Sequence, residues 1–293
     1  MKHVNLSGPA SKRTGLVTQT KSESMQKTVL ITGSSTGIGL ATAHYFADRG
    51  WNVVATMRNP DARANDLKGK KNVEIANLDV LDRDSIRSAV QFARNNFGTI
   101  DVLVNNAGYA LRGVFEATTP EKTRRQLDTN VLGLMDVTRE IIPVMRKQGH
   151  GVIVNVTSIA GRVASPLHSV YQGSKFAVEG FSESLFYELR PQNIKVKIVE
   201  PGVIKTDFYG RSMDRVDAEG LESYRGFVKR ISEYDARLTA GGSTPEVVAE
   251  CIFHAVNDRS WRLRYHAGKY SGLILGLRRL LPDRAMMRLV CRR

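Results

Sequence analysis

An α/β fold, with one doubly wound parallel sheet and helices on both of its faces, is predicted by three observations. Apolar runs at residues 29–31, 53–54, 102–104, 152–156 and 196–199 have the shortness and β-branched content of buried parallel strands. Stretches of helical length separate them, and strand alternating with helix is the signature of an open α/β sheet. With 293 residues and 42% hydrophobic content, the chain can bury one large core but has little room for a second full domain. The sequence holds no internal repeat and no low-complexity tract.

The first run leads into Thr32-Gly33-Ser34-Ser35-Thr36-Gly37-Ile38-Gly39, after which residues 40–49 read as a helix ending at Gly50. Strand, glycine turn and helix in this order are the context of a dinucleotide-binding turn, which makes the predicted fold Rossmann-type. Gly33 can turn sharply, Gly37 lets backbone approach a pyrophosphate, and Gly39 lets the helix pack closely on the strand. The unpaired N–H groups at the helix start then face an anion. The spacing departs from G-x-G-x-x-G, with three residues between the first two glycines and one between the last two.

Tyr171 and Lys175 are four residues apart, so a helix places them on one face. Such a pair on its own describes a solvated helix face as well as a site. Ser158 gives it context, because it ends the β-rich run that starts at Gly151. Open α/β sheets bind ligands at the carboxyl ends of their strands, where Ser158 can meet Tyr171 across a crevice.

These motifs, in this order, resemble the short-chain dehydrogenase/reductase superfamily over residues 27–258, nearest in look to its hydroxysteroid and retinol dehydrogenase branch. Residues 32–39 resemble its T-G-x-x-x-G-x-G cofactor turn, so Gly33, Ser35, Thr36, Gly37, Ile38 and Gly39 are expected at the cofactor. Asn106, Ala107 and Gly108 belong to a segment similar to its N-N-A-G, beside the cofactor. Pro201, Gly202, Ile204 and Thr206 resemble the turn that holds the nicotinamide half. Asn130, Ser158, Tyr171 and Lys175 match the family's catalytic residues. Gly173 stands where many members carry alanine.

The resemblance implies reversible hydride transfer between a nicotinamide and an apolar ketone or aldehyde and its alcohol. Tyr171 would be the general acid or base and Ser158 would bind the substrate oxygen. Lys175 would hold the nicotinamide ribose and favour the phenolate of Tyr171, a group that ordinarily titrates near pH ~10. Asn130 would hold a water that connects Lys175 to solvent. A 3-oxoacyl thioester reductase and a non-catalytic NADP-sensing regulatory protein are the alternatives.

Cofactor choice is set at the end of the second strand, where an acidic residue accepts from the ribose and arginine accommodates a 2′-phosphate. Met57 and Arg58 occupy that place, so NADP(H) is favoured over NAD(H). Thr36 stands where NADP-preferring members often carry a basic residue just before the second glycine. Asp79 and Val80 resemble the adenine-contacting pair after the third strand.

The formal net charge of +14 is concentrated at the ends: residues 259–293 carry ten Lys and Arg against one acidic residue, and residues 1–26 carry four against one. The near-neutral body argues against nucleic acid as a partner. In the tail, Tyr270, Leu273, Ile274, Leu277 and Leu281 recur at helical spacing, Pro282 interrupts, and Met286, Leu289 and Val290 follow. Arginines 278, 279, 284, 288, 292 and 293 surround them. This pattern fits helices packed over the cleft or on another subunit, or a weak membrane-surface contact that makes the protein peripheral to a membrane. It is too short and too charged to span a bilayer.

The expected organisation is a disordered extension over residues 1–26, a catalytic domain over 27–265, in which the family resemblance implies a substrate lid at 207–242, and a basic amphipathic tail over 266–293. Met25 competes with Met1 as the natural start. Phe208, Tyr209, Tyr224, Phe227 and Tyr234 give the lid an apolar character suited to the substrate class. Cys251 and Cys291 form no disulfide framework, which fits a reducing cytoplasm. The six histidines lack metal-binding spacing, so no metal is expected, and His168 reads as a pocket wall or a surface residue and not as a catalyst. By family resemblance the chain is a homodimer or homotetramer.

Overall fold

In the computed structural model, which describes Met1 and residues 26–63, 67–206, 212–217 and 219–291, seven parallel strands form one sheet. They are β1 (Thr28–Ile31), β2 (Asn52–Met57), β3 (Val73–Asn77), β4 (Val102–Asn105), β6 (Gly151–Val156), β7 (Ile194–Pro201) and β9 (Arg264–Ala267). The order across the sheet is β3-β2-β1-β4-β6-β7-β9. Two further strands, β5 (Ala110–Arg112) and β8 (Met213–Arg215), pair in parallel in a small sheet of their own.

Alternation of side chains along each strand explains the double winding. On β1, Val29 and Ile31 point into the core formed with α1 (Gly37–Ala47) and α8 (Pro245–Asn257). Leu30 points the other way, into the core formed with α3 (Arg83–Phe97), α5 (Gly133–Gln148) and α6 (Ser169–Leu189). Each strand residue is therefore buried, and the strand reads as a continuous apolar run. Phe46 of α1 is fully buried and meets Trp51 and Phe253 edge-on at centroid distances of 5.1 Å. Its burial contributes about 1.5–3 kcal/mol. The remaining helices are α2 (Pro60–Arg63), α4 (Pro120–Leu127), α7 (Arg225–Ala240), α9 (Ser271–Leu280) and α10 (Asp283–Cys291).

The helix expected at residues 40–49 spans Gly37–Ala47 instead. It begins inside the glycine turn, so the turn itself supplies the helix N-terminus. It stops short of Gly50, whose φ of +76° carries the chain into β2. The strand β9 straddles the boundary expected at residue 265, pairing Tyr265 with Val199 and Ala267 with Pro201. The tail divides at Pro282 into α9 and α10, as its spacing implies. Phe208, Tyr209, Arg292, Arg293 and the extension from residue 2 to 25 lie outside the described residues. Among the described residues, no helix is long and apolar enough to cross a membrane.

Candidate active site

Because β1 has β2 on one side and β4 on the other, the strand order reverses between β1 and β4, the place where ligands enter such sheets. A cleft of about 1180 Å³ opens there, over the carboxyl ends of β1, β4, β6 and β7. Every residue that the sequence places at the cofactor or the reacting groups lines this cleft, except Gly39 and Asn130.

Gly39 acts from behind the wall. A Cβ at this position would collide with the Gly33 carbonyl and the Asn106 side-chain amide. That amide donates to the carbonyls of Thr32 at 3.0 Å and Gly33 at 3.1 Å. Thr32 Oγ1 in turn accepts from the backbone N–H groups of Asn106 and Ala107, both at 3.0 Å. The glycine turn and the Asn105–Gly108 loop are thus tied into one surface. Gly33 adopts φ +70°, open to glycine at little steric cost. Thr36, the N-cap of α1, makes no side-chain cap, and the first turn has no acidic residue. An uncapped helix start at the cleft fits the pyrophosphate of a dinucleotide.

At one end of the cleft, Arg58 is exposed immediately after β2, and Asp79 follows β3. The Asp79 Oδ1 accepts from the Leu81 N–H at 3.0 Å, which fixes its loop.

At the other end, Tyr171 stands in the first turn of α6 and is 8% exposed, packed with Ala110, Ala160 and Met213. The His168 ring meets Tyr171 edge-on at 6.3 Å, and burial holds its imidazole below its usual pKa, so it is a neutral wall. Ser158 sits just past β6 and accepts from the Ala160 N–H at 3.1 Å. One turn beyond Tyr171, the Lys175 Nζ donates to the Val156 carbonyl at 2.9 Å. Burial pulls this ammonium down to about 8, and the Glu179 carboxylate opposes that pull. A Cβ at Gly173 would meet nothing within 4 Å among the described residues, so alanine would fit there.

Asn130 is buried in a π-helical turn, Asp128–Leu132, between α4 and α5. Its Oδ1 accepts from the Tyr109 N–H at 3.1 Å, and its Nδ2 donates to the Tyr109 carbonyl at 2.9 Å and to Ser174 Oγ at 3.2 Å. It clamps the cleft's second loop onto α6.

Sequence reasoning missed a charged cluster behind Lys175. Thr157 Oγ1 donates to Glu179 Oε1 at 2.7 Å, and the Arg264 Nε donates to Glu179 Oε2 at 3.1 Å. Glu200, fully buried beside them, lies 3.7 Å from Arg162 Nη1 and 2.8 Å from His266 Nδ1, yet among the described residues neither carboxyl oxygen accepts a hydrogen bond. Burial, with the nearby Glu179 charge, pushes it up to about 7. The available signal was local: Glu179 is four residues after Lys175, Thr157 precedes Ser158, and Glu200 precedes Pro201.

Beyond Tyr171 the cleft has apolar walls, including Val163, Met213, Ile231, Leu238 and Leu277. Arg112 of β5 grips Asp235 of α7 with both Nε (3.2 Å) and Nη2 (2.9 Å), holding this wall against the body. From the tail, Tyr270, Leu273, Ile274, Leu277 and Leu289 complete the rim.

A family model for short chain dehydrogenases matches residues 27–216. The 3-ketodihydrosphingosine reductase of Bacteroides thetaiotaomicron is 39% identical over 262 residues, covering 88% of this chain and 94% of the relative. A crystal structure of a short-chain dehydrogenase from Streptomyces avermitilis superposes with a TM-score of 0.77 at 31% identity, over 90% of this chain and 94% of that one. The structure of ElxO with NADP bound gives 0.68 at 27% identity, over 83% and 98%. The chain belongs to the short-chain dehydrogenase family and is an oxidoreductase.

Proposed function

We propose that the protein interconverts an apolar ketone or aldehyde and its alcohol, using NADP(H) in preference to NAD(H). The convergence of Ser158, Tyr171 and Lys175 on one cleft, opposite the uncapped start of α1, carries this reading. The cofactor supplies the hydride when bound, held by the start of α1, the Asn106–Gly108 loop and Lys175. Ser158 orients the substrate oxygen, and Tyr171 gives it a proton in reduction or removes one in oxidation. The Lys175 ammonium makes the phenolate form of Tyr171 more accessible. Asn130 keeps the second loop in register with α6, and the apolar walls exclude water from the reacting carbonyl.

Arg58 supports NADP(H), since a guanidinium pairs with a 2′-phosphate. The apolar substrate half and a relative named as a reductase of a keto compound favour a ketone. A homodimer or homotetramer is supported by the outer face of α6, where Gly173, Phe176, Ala177, Gly180 and Tyr187 are all exposed. A cytoplasmic location is in keeping with the sparse, unpatterned cysteines.

A panel of ketones, aldehydes, steroids, retinoids and 3-oxoacyl thioesters, followed by NADPH absorbance, tests the reading. Turnover of an apolar carbonyl is expected. Tight NADPH binding with no turnover across the panel would overturn it.

A further inference from the structure

We infer that α9 and α10 seat the rim of the cleft on an anionic phospholipid bilayer, so that an apolar substrate enters from the acyl layer. This rests on the apolar-substrate reading above and adds a partner to that site.

The two helices are part of the cleft and part of the surface at once. Leu273 and Leu289 line the cleft, yet they are 62% and 43% exposed. Tyr270, Leu280 and Met287 beside them are 70%, 81% and 66% exposed. Leu273, Leu277 and Leu280 fall at helical spacing on one stripe of α9, and Tyr270 stands immediately before its first turn. Five large apolar side chains left in water on two successive helices and the residue before them are a costly arrangement unless something covers them.

Charge identifies what covers them. Arg279, Arg284 and Arg288 are exposed and make no ion pair among the described residues, whereas Arg278 pairs with Asp283, the segment's sole acid. Arg284 and Arg288 are four apart and flank Met287, which puts cations beside an apolar anchor. A second copy meeting this face by two-fold symmetry would press arginines on arginines. Anionic headgroups complement them instead, while the acyl layer takes up Leu280 and Met287. Helices of ten and nine residues reach about 15 Å, roughly half of a hydrocarbon core, so they lie in the interface and do not span it.

Co-sedimentation of the full chain with vesicles of phosphatidylcholine alone, and of phosphatidylcholine with phosphatidylglycerol, tests the inference without any substrate. Binding to the phosphatidylglycerol vesicles, weakening as salt rises, is expected. Arg279→Gln with Arg284→Gln and Arg288→Gln removes three charges, each contributing roughly fivefold, so affinity falls on the order of a hundredfold. Leu280→Ser with Met287→Ser also weakens binding, and both variants keep their far-UV circular dichroism and NADPH affinity. Equal partitioning of wild type and both variants, or no dependence on phosphatidylglycerol, would overturn the inference. So would a loss of oligomer mass in the variants with vesicle binding unchanged, which assigns the face to subunit contact. Failure of the carbonyl panel would count against the proposed reaction and leave the vesicle result to stand by itself.

Discussion

Glu179 lies one helical turn beyond Lys175 on the same buried face of α6, and consecutive residues of one strand end hold the two. Val156 offers its carbonyl to the ammonium and Thr157 donates to the carboxylate. The negative charge therefore works against the desolvation that pulls Lys175 down to about 8. In the proposed carbonyl reduction both Lys175 and Tyr171 carry their protons. Glu179→Gln removes a charge that favours the protonated form of Lys175, so the alkaline limb of kcat/KM for reduction moves to lower pH. An unmoved limb would show that Glu179 only braces the fold.

Glu200 makes stability depend on pH. Its carboxyl titrates near 7 in the folded protein, above the ordinary carboxyl range, so the folded state holds its proton more tightly than the unfolded chain. That contribution is complete below the ordinary carboxyl pKa and is lost as pH rises through about 7. Glu200→Gln mimics the protonated form. Its Tm should fall less than that of the wild type between mildly acid and mildly alkaline solution, whereas parallel Tm curves would contradict the assignment.

Arg58 is exposed at the end of β2, in the cleft wall and with no carboxylate in its place. If it pairs with the 2′-phosphate, a charge-assisted bond is lost in Arg58→Ala. The ratio of kcat/KM with NADPH to that with NADH then drops by on the order of ten- to a hundredfold. Selectivity equal to the wild type would exclude Arg58 from cofactor choice.

Much of this architecture was legible because it rests on local signals. The run 29–31 is apolar on both faces since both faces of β1 are covered, and the glycines mark the turn that follows. Tyr171 and Lys175 declare themselves by helical spacing. What escaped the sequence depends on distant partners: Glu179, Arg264 and Glu200 come from α6, β9 and β7, and only the packed sheet brings them together. The seventh strand, Arg264–Ala267, was hidden because Arg264, Tyr265 and His266 lack the apolar run that marks a buried strand. Polar partners hold two of them, with Arg264 gripping Glu179 and the Tyr265 hydroxyl donating to Asp258 at 2.6 Å. Asn130 was legible as a residue but not as a clamp, since its partner Tyr109 is 21 residues away.

The central claim is that Tyr171 is the proton donor, and Tyr171→Phe tests it most directly because it removes only the hydroxyl from a packed ring. Single-turnover reduction of the best carbonyl in the panel, alongside NADPH titration, reads chemistry and binding separately. The expected result is a fall in rate of roughly a hundred- to ten-thousandfold with NADPH affinity preserved. A rate within a few-fold of wild type would contradict the claim.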